Sequence, residues 1–359
     1  MLLGCWLWLA TPAIAGAADI DPTPLTIAAL QARIDQPVRR DGKLTIDLRD
    51  VVLDLRAENG DFGDRFYRLL QTTLQRGDTV FNLDLSHAVV KGEFDLQRLS
   101  LREPLYGDAF FPLLSDREQS QLKRDRRRLF QLRQLSRSLL LQSQTTAARI
   151  YLFRGGLTMA QTRFEGPVLA SDIFFLEAVA AQGAQFEQSV DFSDSRFSQS
   201  VTLVASQFQQ AARWRGCLFF DRLRLGQALF QGPVTFQGSE FSQSAGFEQT
   251  RFQQGANFSR TTFQKNVDFG QTQWQANGSF LNSVFGGDVF LTEARFEAPI
   301  SFRQSRLSQA MNLRGAMIER QLDFGDMTFG PQTRINVAGL NFDTEQGGLL
   351  GSPGQIGRV

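Results

Sequence analysis

Side chains able to do chemistry are few in this chain, and their spacing limits what they could do. His87 is its 1 histidine, which leaves no imidazole pair for a metal and a single residue for acid–base work near neutral pH. Of the 2 cysteines, Cys5 stands in an N-terminal apolar stretch and Cys217 lies far downstream. Without its leader the chain therefore holds one thiol and no internal disulfide. Asp191, Asp194, Asp221 and Asp268 are scattered among Gln and Ser, which reads as solubilising decoration. The sequence contains no glycine-rich phosphate loop, G-x-S-x-G elbow, His-Glu-x-x-His helix or Cys/His metal spacing. No cofactor and no metal is expected.

Positive charge concentrates in one place. Lys123, Arg124, Arg126, Arg127, Arg128, Arg133 and Arg137 follow Ser115-Asp116-Arg117-Glu118, which reads as a capping box opening a helix. Leu122, Leu129, Leu132 and Leu139 give that helix one apolar stripe, and the basic residues form its other face. Two readings stay open. The basic face is a contact for acidic lipid headgroups, polyanionic glycans or an acidic partner, or it is the solvated side of an inserted helical hairpin.

Any such residues must be positioned by the rest of the chain, which is dominated by a repeat. Of 359 residues 33 are Phe and only 3 Tyr, so many equivalent dry positions want a ring with no polar handle. From Phe153, steps of eleven reach Phe164, Phe175, Phe186, Phe197, Phe208, Phe219, Phe230, Phe241, Phe252, Phe263, Trp274, Phe285, Phe296, Leu307, Ile318, Phe329 and Leu340. A second series lies six residues later. It runs from Met159 through Phe192, Trp214, Phe236, Phe258, Phe280 and Phe302 to Phe324 and Ile335. Large apolar residues thus alternate at six and five, with no slip expected over the segment. A helix repeats near 3.6, and hairpins need variable loops. Two residues before the first series stand small residues such as Ser195, Ser206, Cys217 and Ser239. Larger ones such as Val190, Val201 and Val234 precede the second. That offset puts both side chains on one face of an extended strand, so Cys217 is read as a core thiol.

Units such as Ala184-Gln185-Phe186-Glu187-Gln188 and Val234-Thr235-Phe236-Gln237-Gly238 resemble the pentapeptide-repeat proteins. The resemblance implies that each unit forms one side of a square, right-handed β-helix, with the central ring and the small residue two before it turned inward. This chain departs by a sixth residue on alternate sides, so the coil is expected to take about 22 residues, with a bulge or wider corner at the insertion. The expected fold is mainly β: a right-handed quadrilateral β-helix with an N-terminal α/β cap and an inserted helical segment. At ~4.8 Å per coil the rod is about 40 Å long.

The expected organisation is a signal peptide at 1–17, a capping region at 18–79, a first coil at 80–102 and the basic helical insertion at 103–150. The repeat β-helix at 151–342 and a flexible, glycine-rich tail at 343–359 follow. In the capping region Leu44, Ile46, Leu48, Leu53 and Leu55 alternate as strands, Phe62 to Gln75 reads as an amphipathic helix, and Leu25 to Ile34 is an apolar stretch. The leader ends in small residues, Ala13-Ile14-Ala15 and Ala15-Gly16-Ala17, but no Lys or Arg precedes it, so either the true start lies upstream or the signal is atypical. Lipidation at Cys5 is the minor reading, since the apolar stretch follows that residue.

Lys and Arg number 38 against 37 Asp and Glu, so the whole molecule has no strong field for nucleic acid. Some relatives of the resembled family mimic DNA with a rod of negative charge. Residues 151–329 hold 16 acidic and 15 basic side chains, so that role is not expected. The expectation is an exported, non-catalytic scaffold or binding protein in the periplasm, a lumen or the extracellular space of a bacterium. Its Gln-rich faces, basic insertion or C-terminal end would engage a protein, glycan or membrane surface, with a homodimer through a solenoid end among the arrangements. The alternative is a polysaccharide-active β-helix enzyme, which would gather carboxylates with Arg or Lys on one exterior sheet.

Overall fold

The computed structural model describes residues 22–75, 79–104, 149–331, 333–342 and 347–351, with 116, 119–120 and 123–124 between them. The leader at 1–17 and Cys5 lie outside the described residues.

The five-and-six rhythm turns the chain through a corner after every short strand. One coil shows the plan, and its four sides name the faces in chain order. Face 1 holds Gln185–Phe186, face 2 Val190–Asp191, face 3 Arg196–Phe197 and face 4 Val201–Thr202. Each strand pairs in parallel with its equivalent 22 residues on: Gln185 with Gln207, Val190 with Ala212, Arg196 with Leu218 and Val201 with Leu223. The result is a four-sided β-solenoid with two 12-stranded and two 10-stranded sheets.

Two kinds of corner account for the two spacings. After face 2 and face 4 the turn is tight and passes through a left-handed residue. Asp194 has φ 59° and Ala205 φ 58°, and Ser195 N–H donates to Phe192 O at 3.1 Å. A positive φ at the third turn residue suits glycine, and Gly183, Gly216 and Gly238 supply it. Ala205, Gln249 and Arg260 adopt it as well, at a cost of about 1–2 kcal/mol each, because pairing above and below fixes the corner. Counted from one inward residue to the next, two residues turn the tight corner, Ser193 and Asp194, whereas after faces 1 and 3 three do, as Glu187, Gln188 and Ser189. The sixth residue therefore makes a wider corner and not a bulge.

Inward side chains stack on their equivalents one coil away. Phe186 lies 4.9 Å from Phe208 and Phe208 lies 4.7 Å from Phe230, ring planes within 8°. On face 3 Phe197, Phe219, Phe241 and Phe263 follow one another at 4.9, 4.8 and 4.9 Å. Columns meet edge to face across the interior, as Phe247 and Phe258 do at 5.4 Å and 89°. Both arrangements suit the ring quadrupole. Neighbours adjust for size: a Cβ on Gly278 would lie 2.9 Å from the Trp274 ring and 2.7 Å from Ile300 Cδ1, so the indole occupies the space a side chain would take.

The small inward residues have a second task. The inward residue before a tight corner has a buried carbonyl, and at many corners a hydroxyl from the next coil reaches it. Ser195 Oγ donates to Ala170 O at 2.6 Å, Ser206 Oγ to Ala181 O at 2.6 Å and Ser283 Oγ to Phe258 O at 2.7 Å. Cys217 stands in this column, its thiol directed at Phe192 O at 3.0 Å. Each such bond contributes about 1 kcal/mol and accounts for the Ser and Thr in this column.

The N-terminal end is closed by helices α1 (Ile27–Asp35) and α2 (Gly60–Leu74). Two sides of a coil already precede residue 80. Lys43–Asp47 pairs with Phe81–Asp84 on face 4, and Val51–Asp54 with Val89–Lys91 on face 1. The chain then leaves the ladder, and α2 buries Phe66, Tyr67, Leu70 and Leu74 in the core. Tyr67 is anchored by its hydroxyl, which donates to Glu93 O at 3.2 Å and accepts from Asp95 N–H at 2.8 Å.

Two expectations are corrected near the C-terminus. The rhythm slips: Met311 pairs with Ile335 and Ile318 with Phe342, 24 residues apart instead of 22. Ile335 and Leu340 therefore fall at the positions two before the ladder, and Val337 and Phe342 take the ladder places. The longer corner after Phe329 is held by Thr333, whose hydroxyl donates to Leu307 O at 3.1 Å. Nor is the chain after 343 wholly outside the fold. Gly348–Leu350 is a strand of face 2 paired with Gln321–Asp323, and Leu349 packs on the core.

Stacking on both sides makes a mid-rod ring costly to remove. Phe252→Ala is expected to destabilise the protein by about 3–5 kcal/mol in denaturant unfolding; a loss under about 1 kcal/mol would show that the ring columns do not hold the coil.

Candidate functional site

The sequence nominated one basic cluster, and the structure places part of it. Asp116, Gln119, Ser120, Lys123 and Arg124 are helical, and Lys123 and Arg124 are exposed. Arg126, Arg127, Arg128, Arg133 and Arg137, with Ser115 and Glu118 of the capping box, lie outside the described residues. The strands on either side of the segment are placed. Leu101–Pro104 and Arg149–Phe153 form an antiparallel pair on face 3, the point where parallel pairing is broken.

The four carboxylates of the repeat do not converge. Asp191 is on face 2 and Asp268 on face 4, and each accepts the N–H two residues on, from Ser193 at 2.9 Å and Gly270 at 2.7 Å. These are Asx turns, in which a side chain stands in for a backbone carbonyl at the corner. Asp221 lies in the wide corner after face 3 and accepts from Arg222 N–H at 2.8 Å. Asp194 occupies a left-handed corner position, and Asp172 holds the equivalent place one coil earlier, with φ 56°. Asp172 was not singled out in the sequence, although a step of 22 connects it to Asp194. Burial raises both carboxyls above the usual range, and at Asp172 the charge of Asp194 adds to it.

His87 is exposed at a left-handed corner, φ 61°, as its turn position implied. Cys217 is fully buried, and burial pushes its thiol well above its ordinary value, which leaves little thiolate for chemistry. Among the described residues no group of three His, Cys, Asp or Glu is placed to hold a metal ion. The Gln-rich surface is partly bonded to itself. At the corner between faces 4 and 1, Gln227 Nε2 donates to Gln249 Oε1 at 3.0 Å. Gln249 donates likewise to Gln271 at 2.7 Å, and Gln271 to Glu293 Oε2 at 2.8 Å.

The C-terminal end differs from the capped N-terminal one. Leu313, Phe324, Phe329, Val337, Leu340 and Phe342 line an opening of about 290 Å³ there, and Phe342 and Leu350 are each 44% exposed. Among the described residues the core columns thus run out at a partly exposed apolar surface.

A raised carboxyl pKa means that the native state holds the proton more tightly than the unfolded chain. Stability from this source is fully present below the unfolded value and is lost as pH rises through the higher, folded value. Asp194→Asn, which suits the left-handed corner, is expected to raise the melting temperature at pH 7, with the gain shrinking as pH falls through the carboxylate range. A gain that stays constant down to acid pH would contradict the assignment.

No curated protein and no solved structure matches the chain. Residues 225–273 match the family model for pentapeptide repeats, in 9 copies. The same four-sided coil and 22-residue register continue on both sides of the matched segment, and match and solenoid together fit a pentapeptide-repeat protein.

Proposed function

We propose that the protein is an exported, non-catalytic scaffold that meets its partner through the basic insertion on face 3. Pentapeptide-repeat proteins are generally non-catalytic structural proteins, and the observation that carries the reading is the filled interior. Ring columns occupy the rod from Phe153 to Phe324, so the outer faces and the ends are where a partner can bind. The A-x-A pattern of the leader supports export. The insertion interrupts face 3 by an antiparallel pair, carries exposed Lys123 and Arg124, and concentrates the positive charge of an otherwise balanced chain. Its partner on this reading is an acidic protein, polyanionic glycan or anionic membrane surface. The apolar opening among the described residues at the C-terminal end supports association there, since an exposed sheet end and core recruit further strands or a second copy.

Two measurements check this. In pull-downs from the exported fraction, the full chain is expected to capture partners that a chain lacking residues 103–150 does not; an unchanged set would eliminate the insertion as the binding element. By light scattering the full chain is expected to be dimeric and Phe342→Lys monomeric. A wild-type monomer at tens of micromolar would refute association through the end.

A further inference from the structure

The outer side of face 4 carries a hollow of about 540 Å³ near the C-terminal end, within the ~300–1,000 Å³ typical of small-ligand sites. Its plan follows from register. Phe290, Asn312 and Asn336 pair on consecutive rungs, about 4.8 Å apart. Two residues before them stand Asp288, Ala310 and Arg334, a second column beside the first. Val289 N–H bonds to Ala310 O and Met311 N–H to Arg334 O, both at 2.9 Å. The middle member, Ala310, has no side chain beyond Cβ. The floor is therefore open between a carboxylate on one rung and a guanidinium two rungs away.

The polar groups around it keep capacity for a ligand. Asp288 Oδ1 accepts from Ala310 N–H at 3.0 Å, which fixes the carboxylate and leaves Oδ2 as an acceptor. Asn312 Oδ1 accepts from Arg314 N–H at 3.1 Å and Asn336 Oδ1 from Ala338 N–H at 3.0 Å. Both amides are thereby oriented, with Nδ2 available as a donor. Phe290 supplies a half-buried ring on the same surface, and the charges of Asp288 and Arg334 offset each other.

A flat apolar ring beside one acceptor and several donors, with no net charge, suits a neutral polyhydroxylated molecule. Its C–H face lies on the ring and its hydroxyls take the polar partners. We infer that this hollow is a subsite for a hexose or N-acetylhexosamine unit of a neutral glycan. It goes beyond the reading given above and does not depend on the basic insertion.

The test uses the full chain, titrated with D-glucose, D-galactose and N-acetyl-D-glucosamine by calorimetry and saturation-transfer NMR. Two variants copy residues that the same columns hold elsewhere in the rod, so the coil is kept. Phe290→Thr follows Thr158 and Thr202, and Ala310→Arg, which fills the floor, follows Arg222. Binding of at least one sugar is expected, weakened tenfold or more by each variant with the melting temperature unchanged. If none of the three sugars binds, or binding survives either variant, the subsite is overturned.

Discussion

Every coil of this protein lies one strand spacing above the last, so each inward side chain has its own equivalent as its nearest neighbour. That constraint governs the rest of the structure. Rings satisfy it well, because parallel planes at the 4.7–5.1 Å seen along much of faces 1 to 3 match the rung spacing. Tyr would bring a hydroxyl needing a partner at each level, which explains the imbalance between Phe and Tyr. The corner carbonyls beside the rings are dry as well, and the Ser, Thr and Cys of the neighbouring column reach them. The interior is thus closed by two complementary columns, one of rings and one of short donors.

The same stacking explains why the outer surface tolerates so much. Ladder bonds above and below fix each corner, and residues that rarely take a left-handed conformation, such as Ala205 and Arg260, are held in it. Outward positions are then free to vary by rung. Where one residue type recurs, as at Gln227, Gln249 and Gln271, the side chains bond along the rod. Where small and large residues alternate, as at Asp288, Ala310 and Arg334, a hollow forms. A repetitive scaffold acquires distinct sites in this way without altering its core.

Beyond the N-terminal cap, where α2 stands in for two sides of a coil, two departures from regularity sit where the ladder is interrupted. On face 3 the strands that flank the basic segment, Leu101–Pro104 and Arg149–Phe153, pair antiparallel. Near the C-terminus a corner two residues longer shifts the last rungs. Between these points the register is uniform, and the carboxylates that might have formed a hydrolytic centre are divided among faces 2 and 4 and two corners.

The sequence alone determined the coil, because an inward position recurs every five or six residues and each must be apolar in its own right. Columns Phe186 to Phe252 and Phe197 to Phe285 could be read from spacing, and so could the small column containing Cys217 and the outward placing of His87. What remained hidden depends on contacts between coils. The α2 helix replaces two sides of a coil, and only its packing over the open end shows this. The slip near Thr333 could not be read, since Ile335 and Leu340 are apolar and satisfy either register. It is also what sets Arg334 on the rung above Ala310; an unbroken step of 22 would have put Gln332 there. Inward residues announce themselves because burial selects their type at every repeat. Outward residues become neighbours only through the pairing of distant segments, so the surface sites were decided by tertiary structure.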